Sequence, residues 1–322
     1  MFPTGGFRIS RCSSIHPRKF KGAAIAISSD LLGKDIITRM NQVDSGQIWI
    51  TTFVSYQLNK MDLELNGKNA LVAGSSQGIG KAIAIGLAGQ GAKVTVLARN
   101  EEKLKAVLAE LPAKANQKHE LLVADFSDTD GLNRIIHEHL GNGNIYQILI
   151  NNTGGPPGGP ISEAETDEFQ SAFNQHLIAN HMLTQAVWPG MKQSGYGRIV
   201  NIISTSVKVP LNGLGVSNTV RGAVANWAKT MANELGAFGI TVNNVLPGAT
   251  STGRLDAIVS NKAQKLGVTE KEVTLNMAKA IPLQRFGKPE EIANAAVFLC
   301  SPAASYINGI NLPVDGGRTP SL

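Results

Sequence analysis

The sequence predicts an α/β fold, with one doubly wound parallel sheet covered by helices on both faces, over residues 61–322. Three features predict it. Strand-sized apolar runs alternate with segments of helical spacing through that whole region. The runs are apolar at consecutive positions, as in strands covered on both faces. A glycine-rich turn joins the first run directly to the first helical segment.

NALVAG (69–74) is the first strand, closed by glycine. Residues 78–90 place Ile79, Ile83 and Leu87 on one helical face. KVTVLAR (93–99) is the second strand, followed by the charged helix EEKLKAVLAEL (101–111). HELLVADFS (119–127) is the third strand, 130–140 a helix, and YQILINN (146–152) the fourth strand. Residues 163–192 form one long helix or two, and GRIVNIIS (197–204) is the fifth strand. Val220, Val224, Trp227, Ala228, Met231 and Leu235 give one face of a long helix over 217–235. ITVNNVLPG (240–248) is the sixth strand, 289–301 a further helix, and INGINLPVDGG (307–317) the last strand.

The first sixty residues differ. Residues 1–29 carry Arg8, Arg11, Arg18, Lys19 and Lys21 and no acid. They read either as an organellar transit peptide or as a stretch upstream of a start at Met61, and are expected to be poorly ordered. The net charge of +6 is concentrated there. Residues 61–322 hold 22 basic and 21 acidic residues, so the body gives no electrostatic reason to bind nucleic acid. No apolar run approaches the roughly 20 residues of a membrane span. Neither the two cysteines nor the six histidines have metal-ligand spacing, and no metal is expected. The lack of a disulfide framework fits a reducing, cytoplasmic compartment, or an organelle if residues 1–60 direct it there.

The turn reads Gly74-Ser75-Ser76-Gln77-Gly78-Ile79-Gly80. Its glycines allow a tight turn, and its backbone N–H groups meet a helix N-terminus, an arrangement suited to a pyrophosphate. This makes the fold Rossmann-type, with Gly74, Ser76, Gln77, Gly78, Ile79 and Gly80 as cofactor residues. Strand two ends in Ala98-Arg99-Asn100. An acid there would bind a ribose 2′-OH, whereas Arg99 suits a 2′-phosphate and selects NADP(H).

The G-x-x-x-G-x-G spacing resembles that of the short-chain dehydrogenase/reductase family, and the chain is similar within it to 3-oxoacyl-carrier-protein reductases. Asn151-Asn152-Thr153-Gly154 stands where the family has Asn-Asn-Ala-Gly, and the chain closes on VDGG (314–317). The resemblance implies cofactor contacts at Asn151, Thr153 and Gly154. It implies others at Asp125 (adenine), at Pro247 and Gly248, and at Thr252 (nicotinamide amide). It also implies carbonyl reduction or its reverse, with a Ser, a Tyr and a Lys four residues on, and an Asn on an earlier helix. Ser204 matches the Ser. Ser217 stands at the Tyr position, Arg221 at the Lys position and His176 at the Asn position.

A Ser hydroxyl is a far weaker acid than Tyr. Arg221 keeps a charge that can hold ribose hydroxyls, but it stays protonated and passes no proton. Two substitutes are present: His176, with a pKa suited to acid–base work, and Lys208, four residues after Ser204 on the bordering loop. Lys208 has the better reach. The run Gly154-Gly155-Pro156-Pro157-Gly158-Gly159-Pro160 is expected to wall the substrate. Residues 252–285, with Leu255, Ile258, Val259 and Leu266, are expected to form a lid over a medium-sized or extended small molecule. Three readings stay open: an oxidoreductase with an altered proton donor, a silent NADP(H)-binding sensor, and a regulatory or structural subunit. Helices 163–192 and 217–235 are the expected faces of a homodimer or homotetramer.

Overall fold

The computed structural model describes residues 24–29, 35–42, 48–55, 61–113 and 117–321. The chain divides into two units, Met1–Met61 and Asp62–Leu322.

In the first unit, β1 (Ala24–Ser29), β2 (Asp35–Gln42) and β3 (Ile48–Ser55) form an antiparallel sheet in the order β1-β2-β3. Ala24 pairs with Met40, and Asp35 pairs with both Ser29 and Ser55. By composition the stretch reads as an extension. Its strand β3 is the run IWITTFVS, rich in the β-branched and aromatic residues that favour extended backbone.

The second unit alternates strands and helices. Its strands are β4 (Asn69–Ala73), β5 (Lys93–Ala98), β6 (Glu120–Val123), β7 (Ile148–Asn151), β8 (Gly197–Ile202), β9 (Ile240–Pro247) and β10 (Asn311–Val314). They pair in the order β10-β9-β8-β7-β4-β5-β6, every pair parallel. The order reverses at the β4–β7 pair, the switch point at which such sheets bind ligands. The Rossmann-type α/β class is therefore as the sequence predicts.

Strand alternation sorts the core into two layers. Ala70 and Val72 face a layer with Ile83 and Leu87 of α1 (Gly78–Gly89), Leu104 of α2 (Glu101–Glu110) and Ile292 of α9 (Pro289–Cys300). Leu71 and Ala73 face the other layer. There they meet Leu132 of α3 (Thr129–Gly141), Leu183 of α5 (Ala179–Ser194) and Ala228 of α6 (Gly215–Leu235).

The predicted helix over 163–192 begins at α4 (Thr166–Phe173) and reaches α5 through a π-helical turn, Asn174–Ile178. The third strand stops at Val123, short of the predicted 127, because the Asp125 carboxylate folds back to accept from the backbone N–H and hydroxyl of Ser127. The segment 252–285 carries α7 (Gly253–Leu266) and α8 (Glu270–Lys279), which bury Leu255, Val259 and Val273 together. No helix of the described residues is long and apolar enough to cross a membrane.

Candidate active site

The glycine-rich turn lies at the end of β4, beside β7. Gly74 has φ +59° and Gly78 φ +56°, the left-handed region where glycine is relaxed. A Cβ on Gly80 would fall 2.2 Å from the Gly74 carbonyl oxygen, so α1 reaches the strand end only without a side chain there. Asn152 fastens the approach, its Nδ2 donating to the Gly74 carbonyl at 3.0 Å. Ser75 is fully buried and ties the turn to β5, its Oγ accepting from the Leu97 N–H at 2.9 Å. Gln77 at the N-cap makes no capping bond, and the first turn of α1 holds no acid. These amides and the helix's N-terminal charge thus fit the pyrophosphate of a dinucleotide.

Arg99 leaves the end of β5 with 79% of its side chain exposed, and its guanidinium stands 3.9 Å from the Asp125 carboxylate. The two line an open cleft of about 550 Å³ with Asn100, Val123, Ala124 and Ile135. The Ser127 hydrogen bonds, more than the distant Arg99, hold the Asp125 carboxyl below its ordinary pKa.

Asn151 is not a cofactor-facing side chain. It is 1% exposed, and its Nδ2 donates to Asn201 Oδ1 at 2.9 Å. Asn201 donates to Asn244 at 2.8 Å, and Asn244 to Asn311 at 2.8 Å. These four residues stand in register across β7, β8, β9 and β10. Asparagine 151 therefore belongs to a ladder inside the sheet, and its neighbour Asn152 is the residue at the glycine turn.

The same sheet edge carries the candidate carbonyl site. Ser204 follows β8 and caps a short 3-10 turn, Thr205–Val207, by accepting from the Ser206 N–H at 3.1 Å. Lys208 ends that turn and is exposed. Ser217 lies half-buried in the first turn of α6. One helical turn on, Arg221 is 6% exposed. It donates to the carbonyls of Ile202 at 3.2 Å and Thr153 at 3.4 Å, spanning the ends of β8 and β7. His176 sits in the π-helical turn, fully buried, with Nδ1 hydrogen-bonded to the Thr153 hydroxyl and Nε2 without a partner. Burial, then the nearby Arg221 and Arg254, pull its pKa down to about 2, so the ring is neutral.

The glycine–proline run pairs with the entry to α6, Gly159 donating its N–H to the Gly213 carbonyl at 2.8 Å. Thr252 stands at the N-cap of α7, its Cγ2 3.3 Å from where a Cβ on Gly78 would lie. The segment 252–285 thus begins against the glycine-rich turn. Behind it, a Cβ on Gly248 would fall 2.7 Å from Asp315 Cα, so the backbones after β9 and β10 touch there.

Residues 73–319 match the family model described as enoyl-(acyl carrier protein) reductase. The chain is 34% identical over 261 residues to gluconate 5-dehydrogenase of Gluconobacter oxydans, covering 80% of this chain and 97% of that protein. It is 31% identical over 262 residues to the NADPH-dependent reductase BacG of Bacillus subtilis, covering 80% and 100%. The chain belongs to the short-chain dehydrogenase/reductase family. Among solved family structures, L-sorbose reductase from Gluconobacter frateurii, complexed with NADPH and L-sorbose, superposes with a TM-score of 0.76 at 31% identity, covering 81% of this chain and all of that one.

The structure of this short-chain dehydrogenase/reductase gathers Thr153, His176, Ser204, Arg221 and Thr252 at one edge of the sheet, with Lys208 and Ser217 on the adjoining turns. It keeps Arg99 and Asp125 together in the separate cleft beyond β5. Three residues escaped the sequence reading: Asn152, Ser75 and Arg254. The first two sit beside residues that the reading singled out. Arg254 follows Thr252 by two positions, and a lone basic residue gave no signal. Among the described residues, no group of His, Cys, Asp or Glu is arranged to hold a metal.

Proposed function

We propose that the chain is an NADP(H)-dependent oxidoreductase acting on a carbonyl/hydroxyl pair of a small molecule. The carrying observation is the uncapped N-terminus of α1 at the switch point, behind a turn that admits only glycine at Gly74 and Gly80. Arg99, at the end of β5, takes the 2′-phosphate. The similarity to reductases named or crystallised with NADPH supports the same cofactor. When bound, the cofactor supplies or accepts a hydride, so that a carbonyl, NADPH and a proton become an alcohol and NADP+.

The chain's own residues do the rest. Arg221 holds the ribose side of the site and fixes the backbone of Thr153 and Ile202. Ser204 orients the carbonyl oxygen. Ser217 and Arg221 stand at the family's Tyr and Lys positions, so the proton comes from elsewhere. Lys208 is the donor, since it is exposed at the end of the turn that Ser204 caps and has the reach, whereas the buried neutral ring of His176 positions Thr153. The glycine–proline run walls a medium-sized or extended substrate, and α7–α8 covers it. The balanced charge of residues 61–322 and the buried, unpaired Cys300 fit a cytoplasmic protein, with an organelle as the alternative if residues 1–60 act as a transit peptide. Helices α4–α5 and α6 are the proposed faces of a homodimer or homotetramer.

The test is turnover of a panel of carbonyl compounds, followed by loss of NADPH absorbance. Lys208→Ala should abolish turnover while His176→Ala leaves a measurable rate; unchanged turnover in both variants rules out either as donor. Ser217 in place of an acid favours a second reading, a silent NADP(H) sensor or subunit. Tight NADPH binding without turnover, with activity created by Ser217→Tyr plus Arg221→Lys, would establish it.

A further inference from the structure

Two guanidinium groups flank the same stretch of backbone at the carbonyl site. Arg221 reaches it from α6 and donates to the Thr153 carbonyl. Arg254 reaches it from the first turn of α7 and donates to the Pro156 carbonyl at 2.6 Å. Between them lies Gly155: a Cβ there would stand 3.4 Å from Nη2 of Arg254 and 4.0 Å from Nη2 of Arg221.

Among the described residues, no carboxylate lies within ion-pair distance of either group. The ion pairs of the described residues are at other places, and the charged neighbour that acts on Arg221 is Arg254. Burial and that neighbour pull the Arg221 pKa down to about 10, which still leaves it charged. Arginine 221 is thus a cation more than nine-tenths buried, facing a second cation without a counter-ion. A buried charge in such surroundings is costly unless an anion joins it. Each guanidinium has five N–H donors. Arg254 uses one of them on Pro156, and Arg221 uses two on backbone carbonyls, so donors remain on both.

An anion that joins the two guanidinium groups comes with the dinucleotide or with the substrate. The amides of α1 already suit the pyrophosphate, and Arg99 the 2′-phosphate. The arginine pair instead brackets Thr153–Pro156, the stretch that leads from β7 into the proposed substrate wall. We propose that Arg254, with Arg221 beside it on the ribose side, binds a carboxylate of the substrate, making the enzyme specific for an oxo acid or the matching hydroxy acid. The inference rests on the nucleotide reading above. A carboxylate's two oxygens match the guanidinium fork, and this anchors one end of the substrate while its carbonyl faces Ser204.

The experiment titrates 3-phenylpropionate and its neutral counterpart 3-phenylpropionamide into the full chain saturated with NADPH, read by calorimetry. The acid should bind at least about tenfold more tightly than the amide, the gain expected of a charge-assisted pair. Arg254→Gln should erase that preference and leave NADPH affinity within about threefold, and Arg254→Lys should retain part of it. Equal binding of acid and amide, or binding of neither, would overturn the proposal. So would an Arg254→Gln variant that loses NADPH affinity and keeps the preference, because Arg254 would then serve the cofactor. Repeating the titration without NADPH separates the two readings: a chain that fails to bind NADPH removes the nucleotide reading, while a carboxylate preference erased by Arg254→Gln still upholds the anion site.

Discussion

Asn201 and Asn244 meet side chain to side chain inside the sheet, Nδ2 of Asn201 donating to Oδ1 of Asn244 at 2.8 Å. Both are in register on β8 and β9, and Asn201 is fully buried. The amides of Asn151, Asn201 and Asn244 donate in the same direction, toward Asn311. Asn201→Ala would leave the Asn151 amide without its acceptor and the Asn244 oxygen without its donor. The expected loss is about 2–4 kcal/mol of unfolding free energy, measured by urea denaturation. A loss within error of zero would show that the ladder is dispensable.

At Gly80 a methyl group would collide with the Gly74 carbonyl and with Nδ2 of Asn152, 2.6 Å away. Neither is the free end of a flexible chain. Gly80→Ala should displace the start of α1 and weaken NADPH binding by more than about tenfold in a fluorescence titration. A Gly89→Ala control, where the added Cβ would enter open space, should bind NADPH normally.

Arg99 is too exposed, and too far from Asp125, to matter much for stability. Arg99→Asp should therefore leave the melting temperature nearly unchanged. NADPH affinity should fall by about ten- to a hundredfold, with NADH favoured instead. A variant that still prefers NADPH would move the 2′-phosphate site elsewhere.

His176 gives a pH dependence of stability. Its ring titrates near 6.5 when unfolded but only at about 2 when folded. The unfolded chain therefore binds the extra proton first as pH falls. The His176 contribution is flat above about pH 6.5, and below it costs about 1.4 kcal/mol per pH unit until the folded ring titrates. His176→Gln should remove that slope between pH 6 and about pH 4, measured by denaturant titrations at several pH values. An identical slope in the variant would show that His176 titrates normally in the folded protein.

Much of the fold was legible because it depends on local periodicity. Consecutive apolar positions in NALVA and KVTVLA mark strands buried on both faces, and the helix start at Gly78 follows from the glycine turn. Arg99 was legible by its place at the end of β5. The exchange of roles between Asn151 and Asn152 was not, because successive residues of a strand point oppositely and only the paired strands show which side is which. The strands of residues 24–55 are not legible in composition, because the basic, acid-free run 1–29 outweighs the β-branched residues of IWITTFVS.

The sequence by itself determined the order of strands and helices and the glycine turn between β4 and α1, and it put Ser204, Ser217, Arg221 and His176 forward as candidates. Tertiary structure alone decided what those residues experience. Arg221 and Arg254 are 33 positions apart in the chain, and only the docking of α6 and α7 around Gly155 makes them neighbours. His176 is an ordinary histidine by spacing, and it becomes a neutral ring because the π-helical turn buries it against Thr153 and near both arginines. Charge and protonation depend on solvent exclusion and on through-space distance, and neither is written in the order of residues.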